Sequence, residues 1–349
     1  MRALKYFIYH TLYYTGIQRL CSYINRHKVS ILCFHSVAQQ GENEFWPGVF
    51  ISKPKLHEIL NYLQDSRYQV ISLQEAKRHL KGEVKYKYPV VLTIDDGWYA
   101  SVVDMLPLLE RYRFPSTLYV TTYYVSHQIP VVNVLVQYLI WKTGTHYFTV
   151  TEAGETYSFS GQPQEIVAQV EAHLNGKSDP DKLAFLESMV LAAGLDKSLI
   201  NNKLFQNASF EELRQADLVN QFANFQLHTH GHQLPLDASQ LRHQIEKNKA
   251  LLEAELDCQG ALNDFCYPSG IWDPGQIPHI DALGIESATT LDEGLNTIGD
   301  HPLTLKRNLV MDSRSLLHLK LALSGTFDVF RQCKPSWFFI RSSCYDTGK

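Results

Sequence analysis

One short segment constrains the fold more than any other: an almost continuous apolar run at residues 89–94 that ends in two adjacent acids. So apolar a strand suits a parallel sheet that is covered on both faces. Other β-rich segments lie at 29–35, 70–72, 116–122 and 223–228. Segments with helical spacing of apolar residues separate them, and strands that alternate with helices predict an α/β fold with a parallel sheet or barrel.

The alternation is interrupted between residues 126 and 207. This stretch predicts a hairpin within 146–160 and helices at 164–175 and 180–193, and we interpret it as an α+β insertion. Beyond it, Ser209 and Glu212 have the spacing of a capping box, and the β/α pattern resumes. The predicted organisation is an N-terminal amphipathic helix, a first barrel part, the insertion, a second barrel part and a C-terminal segment, at 1–28, 29–125, 126–207, 208–312 and 313–349.

Charge is distributed unevenly along the 349 residues. The net charge is −4, which argues against a protein that coats nucleic acid. The first 41 residues contain no acid and carry +5, so the remainder carries −9. Drawn as a helix, the N-terminus places Leu4, Ile8 and Leu12 near one face together with Tyr9 and Tyr13. Such a helix either caps the domain or lies on an anionic membrane surface through residues 1–25.

Targeting signals and cysteine patterns are weak. The N-terminal stretch is too short and too polar to span a bilayer, and it lacks a signal-peptide cleavage pattern. We therefore expect a cytoplasmic protein, with peripheral membrane contact as the alternative.

The six cysteines have no metal-binding spacing, so reduced and mostly buried thiols are expected. They are Cys21, Cys33, Cys258, Cys266, Cys333 and Cys344.

The first chemical signal is the segment Thr93–Gly97, in which Asp95 and Asp96 follow the apolar strand. Parallel α/β folds place their sites at the carboxyl ends of strands. Adjacent side chains of an extended chain point to opposite sides, so the two carboxylates can serve different partners, unless the turn at Gly97 rotates one of them. A plain Asp-Asp-Gly turn is the alternative interpretation.

The second signal is a group of three histidines directly after a predicted strand. His228 and His232 are four residues apart and share a face if the loop makes a helical turn. Two imidazoles and one carboxylate form a divalent-metal site with open positions. A solvated histidine-rich loop is the alternative, and we interpret His230, between the two candidate ligands, as a loop residue.

The third signal, Phe265–Gly270, is ordinary turn chemistry by itself. Its position after the other two matters, because the order T-x-D-D-G, H-T-x-x-H, F-x-Y-P-x-G resembles the polysaccharide deacetylase family, also called the NodB-homology domain or carbohydrate esterase family 4. The resemblance runs from Ser30 to Asp312 without the insertion. Segments Phe34–Val37 and Ala288–Arg307 are similar to bacterial exopolysaccharide deacetylases. The implied fold is a distorted (β/α) barrel.

The resemblance also implies roles for individual residues. Asp95 matches the general base, and Asp96, His228 and His232 match the metal ligands. His35 is similar to the general acid of some subgroups, which protonates the leaving amine. One wall of the sugar groove, with a backbone amide that stabilises the developing oxyanion, is implied for Tyr267, Pro268, Ser269 and Gly270. Trp98 either stacks on a sugar ring in that groove or is an ordinary half-buried tryptophan.

Several positions depart from the family pattern. Gln233 replaces the usual proline after the second histidine ligand, and Asp264 replaces an arginine before the third motif. Arg307 is a candidate to orient Asp95 in place of that arginine. The closing L-x-x-H element is not recognisable, which favours His35 as the acid. His301 and His318 are the alternatives.

The expected function is metal-dependent removal of N-acetyl groups from N-acetylhexosamine units of a polysaccharide or its lipid-linked precursor. Zinc is the expected metal, and iron, cobalt and nickel suit the same ligands. An O-acetyl esterase and a small-molecule amidohydrolase would use the same site. A non-catalytic carbohydrate-binding relative and a structural zinc site are the non-enzymatic alternatives. The second acid beside the ligands argues against a structural site, which is normally closed.

Overall fold

The computed structural model describes residues 2–152, 154–256 and 261–333. Its centre is an eight-stranded sheet in which every pairing is parallel. The strand order is β11-β10-β9-β6-β5-β1-β12, and β4 pairs with the first residues of β5. The strands of this sheet are β1 (Ser30–Phe34), β4 (Gln69–Val70), β5 (Pro89–Ile94), β6 (Ser116–Val120), β9 (Ala223–Leu227), β10 (Asp264–Cys266), β11 (Ser287–Thr289) and β12 (Asn308–Leu309).

The sheet curls because one segment reaches both of its edges. Leu305 pairs with Thr289 at the end of β11, while Asn308 and Leu309 of β12 pair with β1. The result is an incomplete barrel, and the predicted α/β barrel is confirmed. In this closing segment Pro302–Thr304 forms a 3₁₀ turn, and Asn308–Leu309 forms the strand β12.

Strand β5 lies inside this sheet, as its apolar sequence predicts. All six of its residues are buried, and β1 and β6 are buried along their whole lengths as well. Helices cover the sheet and bury their apolar stripes, for example Leu56, Ile59, Leu60 and Leu63 of α4. The helices around the barrel are α3 (Glu42–Phe45), α4 (Lys53–Asp65), α5 (Leu73–Leu80), α6 (Leu106–Tyr112), α7 (Thr122–His127), α12 (Phe210–Val219), α13 (Ala238–Glu255), α14 (Ile277–Asp281), α15 (Leu316–Leu323) and α16 (Thr326–Cys333).

The predicted capping box is confirmed: Ser209 and Glu212 form a reciprocal capping box at the start of α12. Ser72 and Glu75 form a second one at the start of α5. A π-helical turn, Ser101–Met105, leads into α6. Two short strands, β2 (Ser36–Val37) and β3 (Phe50–Ile51), pair in parallel outside the main sheet.

The stretch predicted as an insertion has its own apolar core. The antiparallel hairpin and two helices were expected, whereas helix α8 (Val132–Thr143) was not. Its central residues, apolar except for Gln137, are buried on all sides, so it lacks the amphipathic period that marks a surface helix. The remaining elements here are β7 (Tyr147–Glu152), β8 (Glu155–Ser160), α9 (Pro163–Leu174), α10 (Asp179–Ala192) and α11 (Ser198–Asn201).

The N-terminal segment forms two helices instead of one. Helices α1 (Arg2–Tyr14) and α2 (Ile17–Ile24) are separated at Gly16, whose φ of 81° lies in the left-handed region. Within the described ranges, no helix is both long and apolar enough to cross a bilayer.

The cysteine expectation is met where the structure describes the side chains. Cys21, Cys33 and Cys266 are buried thiols. Cys258 and Cys344 lie outside the described residues, and the side chain of Cys333 also lies outside them.

Candidate active site

The candidate residues converge because their strands are parallel and end at the same edge. His35, Asp95, His228 and Tyr267 each directly follow a strand of the barrel, namely β1, β5, β9 and β10. A pocket of about 680 Å³ opens at this edge. Its polar lining comprises His35, Asp95, Asp96, Thr121, Asn133, Asn207, His228, His232 and Ser269.

Three predicted metal ligands face one another in this pocket. Asp96 Oδ1 lies 3.2 Å from His228 Nε2 and 3.3 Å from His232 Nε2. One ligand atom from each residue lies within 4.8 Å of the others. Asp96 Oδ1 is buried and has no hydrogen-bond partner among the described residues. A buried carboxylate oxygen facing two imidazole nitrogens fits a divalent cation, so the donor set suits the expected metal.

Backbone conformation directs these side chains. Asp96 has a φ of 75°, which takes its carboxylate out of the alternation of the strand and toward the histidines. Thr229 and His232 are also left-handed, with φ values of 63° and 53°. Such conformations cost about 1–3 kcal/mol each and concentrate at functional sites. Of the two acids before Gly97, Asp96 is the one whose side chain is rotated out of the strand alternation.

The imidazole of His228 is oriented from behind. Its Nδ1 donates to the Cys266 carbonyl at 2.8 Å, which leaves the Nε2 lone pair directed at Asp96. The backbone amide of His228 donates to Asn248 Oδ1, and Asn248 bonds in turn to the Val120 carbonyl. The tautomer that a metal requires is therefore set by neighbouring strands and α13.

Asp95 has a different environment. Arg307 grips it with two hydrogen bonds, Nη1 to Oδ1 at 2.7 Å and Nη2 to Oδ2 at 2.8 Å. The thiols of Cys33 and Cys266 also donate to Oδ2. Burial raises the pKa of Asp95, but the Arg307 guanidinium outweighs burial and holds the pKa at about 2. Asp95 is therefore ionised at neutral pH, and its oxygens are held by donors that Asp96 Oδ1 lacks.

Arg307 is itself fully buried and bonded on several sides. It donates to the Thr290 carbonyl and to Thr93 Oγ1 as well as to Asp95. It occupies the position beside Asp95 that the sequence analysis considered for it. Asp264, which replaces the arginine of the family pattern, instead pairs with Lys77 at 2.8 Å.

His35 lines the pocket near the acids. Its Nε2 lies 3.9 Å from Asp95 Oδ2, and its Nδ1 has no hydrogen-bond partner in the described part of the chain. Burial lowers the pKa of His35, and the carboxylates of Asp96 and Asp95 offset part of that shift. The alternative acids lie elsewhere: His301 begins an exposed 3₁₀ turn and His318 packs against Tyr9.

Two expectations about the groove change. Trp98 is only 3% exposed, and its Nε1 donates to Asp96 Oδ2 at 2.7 Å, so the indole supports Asp96 and has little ring face for a sugar. Tyr267 is also misassigned as a groove residue. Its ring lies in the core, its hydroxyl donates to the Leu303 carbonyl, and its amide donates to the Thr289 carbonyl.

Of the third motif, Ser269 is the residue that lines the pocket. It is left-handed, with a φ of 56°. Gly270 is needed for packing, because a Cβ there would lie 2.4 Å from the Leu291 side chain. Pro268 is buried, so the wall of the pocket is formed by Ser269 and Leu291 and not by the whole motif.

His230, between the two histidines, has a structural environment. Its Nδ1 lies 3.0 Å from Thr122 Oγ1, and its amide donates to the Gln244 carbonyl. It is buried and does not line the pocket. The description of His230 as a loop residue holds, but the loop is packed and not solvated.

Sequence reasoning missed Asn207, at the end of the insertion. Its Nδ2 donates to the Asp96 carbonyl at 2.6 Å and to Thr121 Oγ1 at 3.2 Å. Its Oδ1 is buried without a hydrogen-bond partner in the ranges that the structure covers. No local pattern marks this residue, because its neighbours in space come from β5 and β6. The insertion also supplies pocket residues from α8, Asn133 and Val134.

Comparisons with known proteins agree with this fold. No protein-family model matches the sequence, and no curated protein matches it. Among solved structures, IcaB from Ammonifex degensii is similar, with a TM-score of 0.56 and 17% identity over 85% of this chain and 97% of that one. The Streptococcus pyogenes deacetylase PplD, in complex with acetate, has a TM-score of 0.55 and 16% identity over 85% of this chain and 99% of that one. A de-N-acetylase from Aggregatibacter actinomycetemcomitans has a TM-score of 0.55 and 16% identity over 84% of this chain and 99% of that one. The chain therefore shares the fold of these deacetylases, as the sequence resemblance implied.

The indole of Trp98 yields a prediction about metal affinity. Trp98→Phe removes the hydrogen bond to Asp96 Oδ2 while keeping an aromatic ring of similar shape. We expect the affinity for Zn²⁺ to fall about 10- to 100-fold, because partners that orient ligands have effects of that size. Competition with a chromogenic chelator measures it.

Trp272→Phe is the matched control, since Trp272 also donates to a carboxylate, Asp292, outside the pocket. Equal zinc affinity of Trp98→Phe and the wild type would contradict a supporting role for Trp98.

Proposed function

We propose that the protein is a metal-dependent hydrolase that removes N-acetyl groups from N-acetylhexosamine units of a polysaccharide or its lipid-linked precursor. The observation that carries the proposal is that the two adjacent acids, Asp95 and Asp96, have different surroundings. Asp96 Oδ1 faces two histidines without a donor, whereas both oxygens of Asp95 are gripped by Arg307. Hydrolysis of an amide with a metal needs one carboxylate as ligand and another as base.

Asp96, His228 and His232 would hold the cation, with zinc as the expected metal and iron, cobalt or nickel as suitable replacements. When bound, the ion would polarise the acetyl carbonyl and increase the acidity of water. The second acid beside the ligands and the pocket above them favour an open, catalytic site over a closed structural one.

Asp95 would take a proton from the attacking water. Arg307 keeps Asp95 ionised. Its Oδ1 accepts one hydrogen bond, from Arg307 Nη1, and so retains a lone pair for that proton. The same ion pair balances the charge of Asp95, which leaves Asp96 as the acid whose charge is available to a cation. Arg307 is therefore a positioning residue that acts through Asp95.

His35 would deliver a proton to the nitrogen of the leaving amine. It shares the pocket with Asp95, and its side chain has a nitrogen without a partner in the part of the chain described. Ser269 and Leu291 would form one side of the substrate pocket.

Asn207 favours an amide over an ester as substrate. Its two donor contacts fix the amide orientation, so Oδ1 is the atom that is left for a ligand. A buried acceptor gains most from a substrate that donates a hydrogen bond. An N-acetyl group has an N–H to offer, and an O-acetyl ester has none. Aromatic residues Trp46 and Tyr124 line the same pocket and suit the apolar face of a sugar ring.

The first test separates the base from the ligand. Asp96→Ala should lose both zinc and acetate release from N-acetylglucosamine oligomers. Asp95→Asn should retain zinc and lose at least about 100-fold in kcat, because general-base catalysis contributes factors of that size. Metal analysis of the purified variants and an acetate assay give the two readouts.

Circular dichroism must accompany Asp95→Asn, since an unpaired buried Arg307 costs about 3–5 kcal/mol. If folded Asp95→Asn lost zinc as readily as Asp96→Ala, the assignment of base and ligand would be wrong. If zinc-loaded wild type released no acetate from any N-acetylated glycan tested, the non-catalytic binding alternative would be favoured.

The proposed acid is tested by His35→Gln, which keeps a polar side chain of similar length. We expect kcat to fall about 10²- to 10⁴-fold with zinc content unchanged, as for the loss of a general acid. His301→Gln and His318→Gln are controls outside the pocket and should keep the wild-type rate. A full rate in His35→Gln would require a different proton donor.

Preference for an amide is tested by Asn207→Leu. The ratio of kcat/KM for an N-acetyl substrate to that for its O-acetyl analogue should fall about three- to tenfold, because one hydrogen bond to the substrate is lost. Asn133→Leu is the matched control, because it makes the same change at another amide that lines the pocket and leaves the contacts of Asn207 in place. An unchanged ratio in Asn207→Leu would show that Oδ1 does not distinguish the two bonds.

A further inference from the structure

Helix α2 exposes apolar side chains and buries polar ones. Leu20, Tyr23 and Ile24 are exposed at 61%, 59% and 62%, and Ile17 lies on the same side. Gln18 and Ser22, by contrast, are 6% and 2% exposed. A helix that borders water normally turns its apolar side chains toward the core. The outer face of α2 is therefore built for surroundings that are less polar than water.

Two buried polar residues, Gln18 and Asn25, have structural partners that fix the orientation of α2. Asn25, which follows the helix, donates from Nδ2 to the Ser324 carbonyl at 3.1 Å. Gln18 Nε2 approaches the Lys320 carbonyl at 3.5 Å. These contacts tie α2 to the end of α15. Rotating α2 to bury its leucine and isoleucine would break them.

Helix α1 extends the apolar surface. Leu4, Phe7 and Tyr14 are exposed and follow one another at intervals of three and seven residues, which places them on one face. The opposite face packs inward, with Leu12 buried and Tyr9 against Phe327. Leu4 is therefore on the outer face and not, as the sequence suggested, on the face of Leu12. We call these exposed residues of α1 and α2 the N-terminal apolar face.

The charge carried by the N-terminal segment itself has one sign. Residues 1–41 contain five basic residues and no acid, and Arg19 is exposed on α2 itself. Arg26 lies with its guanidinium 4.3 Å from the centre of the Tyr23 ring. Cations and tyrosines that border an apolar surface are typical of the interface between a membrane and water. The rest of the chain carries −9, so the positive charge is local.

We propose that the N-terminal apolar face docks on the surface of an anionic phospholipid bilayer, with α1 and α2 lying in the plane of the interface. Exposed leucine, isoleucine and aromatic side chains would enter the headgroup region, and the basic residues Arg19 and Arg26 would meet the lipid phosphates. The proposal does not depend on the hydrolase activity, and it adds a site for the protein at a membrane surface.

Charge argues against the two other occupants of this face. Residues 334–349 carry a net charge of +2, from Lys334, Arg341 and Lys349 against Asp346. A second copy of the chain would bring a second N-terminal segment of +5. Both would place like charges together, which is unfavourable at an interface. An anionic bilayer supplies the opposite charge and the apolar interior at once.

Vesicle sedimentation of the full-length protein tests the proposal. We expect binding to vesicles of phosphatidylcholine with phosphatidylglycerol, weaker binding at 0.5 M salt, and at least tenfold weaker binding to phosphatidylcholine alone, because each basic residue near an anionic surface contributes about a fivefold factor. Leu20→Ser with Ile24→Ser should reduce binding at least tenfold. Arg19→Glu should reduce binding to the anionic vesicles more than to the neutral ones.

Leu218→Ser with Leu236→Ser is the matched control, because both leucines are exposed outside the N-terminal apolar face. All variants should keep the wild-type melting temperature, since they change exposed side chains. Equal binding of the Leu20 and Ile24 double variant and the wild type would overturn the proposal. So would a dimer in solution that this double variant dissociates, or vesicle binding that begins only after residues 334–349 are removed. Because acetate release is not measured, failure here leaves the proposed hydrolase untouched.

Discussion

The buried ion pair between Arg307 and Asp95 is the interaction on which the site depends. It joins residues 212 positions apart and links the segment that closes the barrel to the end of β5. A buried pair is stable only where hydrogen bonds satisfy both partners, and here the Thr290 carbonyl and Thr93 Oγ1 complete the set around Arg307. The same ion pair therefore both holds the closing segment of the barrel against β5 and orients the candidate base. The pair also gives two neighbouring acids different chemistry.

The second constraint is the backbone at the strand ends. Asp96, Thr229, His232 and Ser269 all have positive φ, and all four are in loops that form or border the pocket. Each conformation is unfavourable for a residue with a side chain, so the rigid sheet and its hydrogen bonds must hold it. The Asp96 carbonyl, held by Asn207 and Thr121, is the clearest case. At Asp96, His232 and Ser269 this strained backbone accompanies side chains that line the pocket.

Features encoded locally could be predicted from the sequence. The apolar run of β5, the capping boxes and the hairpin depend on neighbours a few residues apart, and each was found. The proposed ligands Asp96, His228 and His232 could be proposed because they lie in the segments that follow β5 and β9. Trp98, Tyr267 and Asn207 could not be assigned, since what each contacts is decided by packing between distant segments. Helix α8 was missed for a related reason: a helix buried on all sides has no polar face to reveal its period.

Two features depart from the usual pattern of a folded chain, and both indicate a partner outside the described residues. Asp96 Oδ1 is a buried charged atom without a donor, and α2 turns its apolar side chains toward solvent. Neither is improved by rearrangement within the chain, because the contacts of Trp98 and Asn207 hold Asp96 in place, while those of Asn25 and Gln18 fix α2. Because the fold leaves these two features without a partner among the described residues, their chemistry indicates what kind of partner each would bind. The carboxylate between two imidazoles matches a divalent cation, and the apolar face with basic residues around it matches an anionic bilayer.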